Sequence, residues 1–271
     1  MSLSIAGKTA IVTGAAKGIG LAVARHFQAK GVKVMFADID EARLEAEVGE
    51  EARGEGPVRM FVGDLREKLT IANLLSATID AFDRVDILVN ASRRMAVSDP
   101  FNPEDDGVEM LLQENLLTSL RLSQMTAKRM IAKADTVDED GKIGQIGSII
   151  NISSIAGCHT QPGLLGYSIA SAAVDQMTRS LAVAFAPKGI RVNAVAFGSV
   201  MSASLQAALK EESGWRDAIV NGTPLGRIAG PDELAEVMQF LASDASGFMT
   251  GQVLTIDGGR SLLDRVTIPA F

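Results

Sequence analysis

The sequence predicts an α/β fold built on a parallel sheet, and three observations lead to it. Short runs rich in Val and Ile alternate with longer segments of helical period, the pattern of strands joined by crossover helices. A glycine-rich turn links the first such run to the first helical segment. No stretch of linker composition interrupts the alternation, so the 271 residues are expected to form one domain, 1–271.

Taken in order, the first strand is expected at 9–13. It runs into Thr13-Gly14-Ala15-Ala16-Lys17-Gly18-Ile19-Gly20 and a helix whose Ile19, Val23 and Phe27 face inward. A second strand, 32–37, leads to Asp38, and a third, 58–62, leads to Asp64-Leu65. Ile71, Leu74, Leu75, Thr78 and Phe82 share one helical face, and a fourth strand at 87–90 ends on Asn90. Leu111, Asn115, Thr118 and Leu122 form the next helical stripe, where a buried amide needs partners and can orient a water. Residues 133–145 are polar and glycine-bearing, a surface loop before the fifth strand, 148–152. Ser154 follows that strand, and Val174, Met177, Leu181 and Phe185 mark a long helix. That helix opens on small residues from Ser168 to Ala173, which suit either a subunit contact or tight packing on the chain's own sheet. The sixth strand is expected at 191–196 and the seventh at 252–256. Between them, 199–227 holds the only Trp, Trp215, with Met201, Leu205 and Leu209 at helical spacing. It follows a strand end where such sheets bind ligands, and reads as a mobile lid or, alternatively, as ordinary surface helix.

Composition narrows the function classes. With 47% apolar residues the chain can bury a large core, and 26 basic against 33 acidic residues give a net charge of -7, a poor match to a nucleic-acid backbone. The single Cys158 excludes an internal disulfide and fits a reducing compartment; His26 and His159 are too few for a convincing metal site, and none is expected. No secretory start and no run of 18 apolar residues is present, so the expected location is cytoplasmic, with no membrane partner.

The glycine turn carries chemistry. Gly14, Gly18 and Gly20 allow a tight backbone turn close to a pyrophosphate, whose charge is met by amides at a helix N-terminus. Asp38 lies 18 residues beyond Gly20, where a carboxylate can accept both ribose hydroxyls and repel a 2′-phosphate. NAD is therefore favoured over NADP, with Lys17 the counter-argument because it can greet a 2′-phosphate.

Gly14, Gly18 and Gly20 in the spacing GxxxGxG, Asp64-Leu65, Asn90, Asn115, Ser154, Tyr167, Thr250-Gly251-Gln252 and Asp257-Gly258-Gly259 follow one another in an order that resembles the short-chain dehydrogenase/reductase family over residues 5–262. The resemblance implies a Rossmann-type, doubly wound seven-stranded parallel sheet in the order 3-2-1-4-5-6-7 with helices on both faces, and assembly as a homo-oligomer, a dimer or tetramer. It also implies hydride transfer between nicotinamide and an alcohol or carbonyl carbon of a small molecule. Tyr167 takes the place of the family's general acid/base, Ser154 of the serine that orients the substrate oxygen, and Asn115 of the asparagine that anchors a water relay. Ser154 and Tyr167 lie 13 residues apart on a strand end and an early helical turn, so they can converge independently of the resemblance.

The departures cluster at the same edge. Tyr167-Ser168-Ile169-Ala170-Ser171 puts Ser171 where the family has the lysine that holds the ribose and assists the tyrosine; Ser171 would bond the ribose weakly. A phenol with the usual pKa of about 10 is ionised to roughly one part in a thousand at neutral pH, so slow turnover is expected. A Ser171→Lys change should then raise it. Arg93 stands where a glycine normally adjoins the cofactor, Phe197-Gly198 replaces Pro-Gly, Val200 keeps the usual type, and Ser202 replaces a threonine that meets the nicotinamide. Either Arg93 or Arg94 supplies the missing charge, or Arg93 crowds the site. The second class of function is accordingly a catalytically impaired dinucleotide-binding or scaffold protein. Ile155, His159, Leu165, Met201 and Trp215 make an apolar candidate lining, favouring an acyl, steroid-like or small aliphatic ketone. A carrier-bound 3-oxoacyl group would need Arg93, Arg94, Arg121 and Arg129 gathered into a landing patch.

Overall fold

The computed structural model describes residues 2–104, 107–133, 144–212 and 214–264. Seven parallel strands form one sheet in the order β3-β2-β1-β4-β5-β6-β7. They are β1 (Thr9–Thr13), β2 (Lys33–Asp38), β3 (Val58–Val62), β4 (Ile87–Asn90), β5 (Gly147–Ser154), β6 (Ile190–Phe197) and β7 (Val253–Ile256). At their carboxyl ends β5 runs two residues and β6 one residue further than their Val and Ile content suggests. Ser153 and Ser154 pair with Ala196 and Phe197, so ladder bonding extends the strand past its apolar run.

Helices α1 (Gly18–Ala29), α2 (Glu41–Arg53) and α9 (Pro231–Ala242) bury Val23, Phe27, Leu44, Val48, Leu234 and Met238 against one face of the sheet. On the other face α3 (Lys68–Phe82), α5 (Thr118–Ala132) and α6 (Leu165–Phe185) bury Ile71, Leu74, Leu122, Val174 and Leu181. Every residue of the predicted α3 face is buried, and Phe185 on α6 is half-buried. The small residues opening α6 divide: Ser168, Ala170 and Ser171 are buried in the fold, while Ile169 and Ala172 are exposed. The surface loop expected at 133–145 falls almost wholly outside the described residues.

Strand order reverses between β1 and β4, and there the carboxyl ends of the strands open a crevice. Helix α4 (Val108–Leu111) continues through a π-helical turn, Leu112–Leu117, into α5. The wider turn loosens the backbone ladder, and side chains take up carbonyls around it: Thr118 Oγ1 donates to Gln113 O at 3.0 Å and Ser119 Oγ to Asn115 O at 3.0 Å. After β6 the chain forms α7 (Ala203–Glu211) and α8 (Trp215–Asn221). Among the described residues no helix is long and apolar enough to cross a membrane.

Candidate active site

The glycine turn is built as a cradle. Gly14 has φ +66°, and a Cβ there would lie 2.9 Å from Ala91 O and Ser92 N, so only glycine lets β1 meet the segment after β4. A Cβ on Gly20 would strike Gly14 O, which keeps α1 close to its strand. Gly18 has φ +60° and faces open space. Lys17, exposed, stands at the helix start without a side-chain cap, Ile19 is half-buried, and no acidic residue occupies the first turn of α1. The first-turn amides of this helix are thus presented to an anion. These residues fit a dinucleotide pyrophosphate.

Asp38 is tied to the same turn, for its Oδ2 accepts from Ala16 N at 2.9 Å and its Oδ1 from Asp40 N at 3.0 Å. An open depression beside it is lined by Ala16, Lys17, Gly18, Arg43 and Glu47. Asp64 is gripped by Arg66, whose Nε lies 2.9 Å from both carboxylate oxygens, and those bonds hold its carboxyl below the usual range. Leu65 is buried next to it. The Asn90 side chain turns into the fold, donating to Asn151 Oδ1 at 2.8 Å and Ser123 Oγ at 3.0 Å, so its amide is spent on the core. Val200 is buried in a parallel bridge with Ala229, and Ser202 caps α7 by accepting from Leu205 N at 3.2 Å.

At the crevice Ser154 ends β5 and Tyr167 lies in the first turn of α6, each 7% exposed. Ala156, in the turn after Ser154, packs with Tyr167, Ala170 and Leu111. Ser154 Oγ accepts from Ala156 N at 3.2 Å and keeps its own proton to donate. The Asn115 side chain, buried on the π-turn, holds one residue by both backbone groups: Oδ1 accepts from Arg94 N at 2.8 Å and Nδ2 donates to Arg94 O at 2.9 Å. Thr13 Oγ1 accepts from Ala91 N at 3.0 Å and Ser92 N at 3.1 Å. The segment carrying Arg93 is therefore clamped from both sides.

With its backbone so fixed, Arg93 enters the site. Its Nη2 donates to Ser171 Oγ at 2.9 Å, its Nη1 to Ile152 O at 3.4 Å, and its guanidinium carbon lies 4.7 Å from the centroid of the Tyr167 ring. Burial pushes the guanidinium pKa down, and Tyr167 and Asp175 work against that by favouring the charge. Arg94 points outward to Glu114 at 3.3 Å, so the two arginines have different places. Ser171 is fully buried, and its hydroxyl is engaged on both sides, donating to Tyr167 O at 2.7 Å and accepting from Arg93. A bond from Ser171 to a cofactor ribose would have to compete with Arg93 for the same hydroxyl. The landing patch also loses its first member, since Arg93 turns inward while Arg121 donates to Arg66 O at 3.3 Å.

Asp175 and Ser153 escaped sequence reasoning. Asp175 falls eight residues after Tyr167, on the face shared with Ser171, and is 5% exposed. Burial raises its carboxyl pKa, while a hydrogen bond from Ser153 and the charges of Arg179 and Arg93 lower it. An acidic side chain on an otherwise small and apolar stripe was the available signal. Of the candidate lining, Ile155, Leu165 and Met201 are half-buried, His159 is exposed beside Asp257, and Trp215 is 49% exposed.

Comparison with known proteins gives a consistent result. The family profile described as enoyl-(acyl carrier protein) reductase matches residues 14–261. The chain is 32% identical to a 3-oxoacyl-[acyl-carrier-protein] reductase of Thermotoga maritima over 95% of its length and 99% of the relative's. It is 35% identical to a cis-4-hydroxycyclohexanecarboxylate dehydrogenase of Sinomonas cyclohexanicum, covering 96% and 98%. A solved 7α-hydroxysteroid dehydrogenase, complexed with NADH and 7-oxoglycochenodeoxycholic acid, superposes with a TM-score of 0.84 at 27% identity, covering 95% of each chain.

Proposed function

The chain belongs to the short-chain dehydrogenase/reductase family, and from that membership we propose a nicotinamide-dependent oxidoreductase that interconverts a secondary alcohol and its ketone. The observation that carries this reading is the place of Ser154 at the carboxyl end of β5 and of Tyr167 in the first turn of α6, which packs on the turn after Ser154, beside the point where strand order reverses. The cradle of Gly14, Lys17, Gly18, Ile19 and Gly20 would hold the pyrophosphate, with Asp38 at the adenosine ribose and Asp64-Leu65 near the adenine. Asn90 through its backbone, Val200 and Ser202 would lie along the nicotinamide half.

Bound there, nicotinamide supplies or accepts the hydride. Ser154 donates a hydrogen bond to the carbonyl oxygen, and Tyr167 gives that oxygen its phenolic proton, leaving a phenolate; alcohol oxidation returns the proton. Asn115 holds the segment that shapes this edge. Residues 199–227 serve as the substrate lid, two short helices anchored at Val200 and at Leu225, whose N–H donates to Gly258 O at 3.1 Å. The slow turnover inferred from the missing lysine assumed no cation beside Tyr167, and Arg93 occupies that place.

Asp38 favours NAD(H). The depression bordered by Lys17 and Arg43 supports a second reading in which a 2′-phosphate is accepted. The substrate is an apolar ketone or its alcohol; two relatives named for ring alcohols support an alicyclic one, and one named for 3-oxoacyl carrier substrates supports an acyl one.

The test is a titration with NADH and NADPH, followed by energy transfer from Trp215 and by calorimetry. Tight NADH and weak NADPH binding is the expected result, and comparable NADPH binding would replace Asp38 as the selector. Binding of neither would overturn the oxidoreductase reading in favour of a scaffold.

A further inference from the structure

Arg93 is a half-buried cation, its Nε enclosed, that the family pattern does not call for; it lies against Tyr167 and Ser171 on α6, and Asp175 follows one turn further along that helix face. The guanidinium stacks at 4.7 Å over the Tyr167 ring and binds Ser171 Oγ at 2.9 Å. Its Nε and the Oδ1 of Asp175 are both buried without a hydrogen-bond partner among the described residues. Buried charges of this kind persist where another charge compensates them. Tyr167 and Asp175 are the acidic groups that act on Arg93; Arg179 and the Ser153 hydroxyl act on Asp175 from its other side. Gly157 closes the pocket, because a Cβ there would lie 3.2 Å from Asp175 Oδ2 and 3.1 Å from Ala172 N.

We propose that Arg93, entering from the loop after β4, replaces the cation absent from α6 as the positioning residue of Tyr167, with Ser171 seating its guanidinium and Asp175 as its buried counter-charge. Three positions thus act as a unit. A serine in place of lysine leaves room and an acceptor for the guanidinium, an arginine in place of glycine provides it, and an aspartate further along the helix balances it. When Tyr167 gives up its proton, the phenolate forms against a cation held in advance, so little reorganisation is needed.

The proposal rests on the oxidoreductase reading for its purpose but not for its test. Tyr167 is the only tyrosine, so the tyrosinate absorbance of the cofactor-free protein reports this one group. Relative to the unaltered chain, Arg93→Met should move the tyrosinate transition to higher pH, and Arg93→Lys should recover most of that shift. Asp175→Asn should move the transition to lower pH, since the opposing negative charge is gone. Arg94→Ala should leave it unchanged. Coincident transitions in the unaltered chain and Arg93→Met would overturn the proposal. If Arg93→Met does not fold, a transition unmoved in Asp175→Asn would overturn it equally. Binding of neither NADH nor NADPH by the unaltered chain would sink the oxidoreductase reading alone and leave the titration result standing.

Discussion

Tyr167 and Ser154 differ in what their removal should do, because only one of them also holds the fold. Tyr167→Phe deletes a hydroxyl and keeps the ring beneath Arg93, so ketone reduction should fall by about 10²- to 10⁴-fold with NADH affinity unchanged, read by steady-state rates and Trp215 quenching. Ser154→Ala should lower the rate and also cost about 0.5–1.5 kcal/mol of stability, since Ala156 N loses its acceptor; denaturant titration measures the second part. Ser171→Lys, which the missing lysine alone would recommend, should instead be harmful. Ser171 is fully buried and Arg93 touches its oxygen, so two cations would be forced together without solvent, at a cost of about 3–5 kcal/mol. Arg93→Gly with Ser171→Lys should restore both melting temperature and turnover. Spacing put Ser154 and Tyr167 at one edge of the sheet, and a helical stripe with the family resemblance singled out Asn115; the structure places the first two at that edge and buries the third. Asp175 was not legible, since a lone acidic residue on a helix looks the same in sequence whether it meets water or a buried guanidinium.

Among the elements, α1 and α9 show how local chemistry and tertiary contact share the work. The start of α1 is visible in its glycines, and Gly20→Ala should abolish dinucleotide binding by driving a methyl into Gly14 O and parting the helix from β1. The start of α9 is completed by Glu233, which accepts from Gly230 N at 2.9 Å and pairs with Arg227 at 2.6 Å. Those bonds lower the Glu233 carboxyl from 4.5 to about 2. A depressed carboxyl contributes stability that is fully present above its unfolded value and is lost as pH falls from there through the folded one. Glu233→Gln should therefore flatten the fall in stability from pH 4.5 towards 2, by a small amount because the pair is largely exposed; acid melts of the two proteins check it. The strand centres were legible throughout. The last two residues of β5 were not, because serine has little strand preference and only pairing with β6 places it there.

Across the whole molecule, one open question of assembly is tied to surface chemistry. Val183 on α6 is 78% exposed and Ile169 40%, two apolar side chains turned outward on one helix with exposed polar residues between them. The expected outcome is a dimer or tetramer by sedimentation, with Val183→Glu shifting it towards monomer. By itself the sequence determined the α/β class, the seven strands in their places, the glycine cradle with Asp38, and the edge where Ser154 and Tyr167 meet. Those features follow from periodicity, from glycine's freedom at positive φ and from the order of short motifs, all of which are local. Only the tertiary structure decided that Arg93 turns inward and Arg94 outward, and that the Ser171 hydroxyl is engaged by Arg93 and by Tyr167 O. A long side chain in an irregular segment goes where its backbone is aimed, and here Thr13 on β1 and Asn115 on the π-turn, remote in sequence, do the aiming.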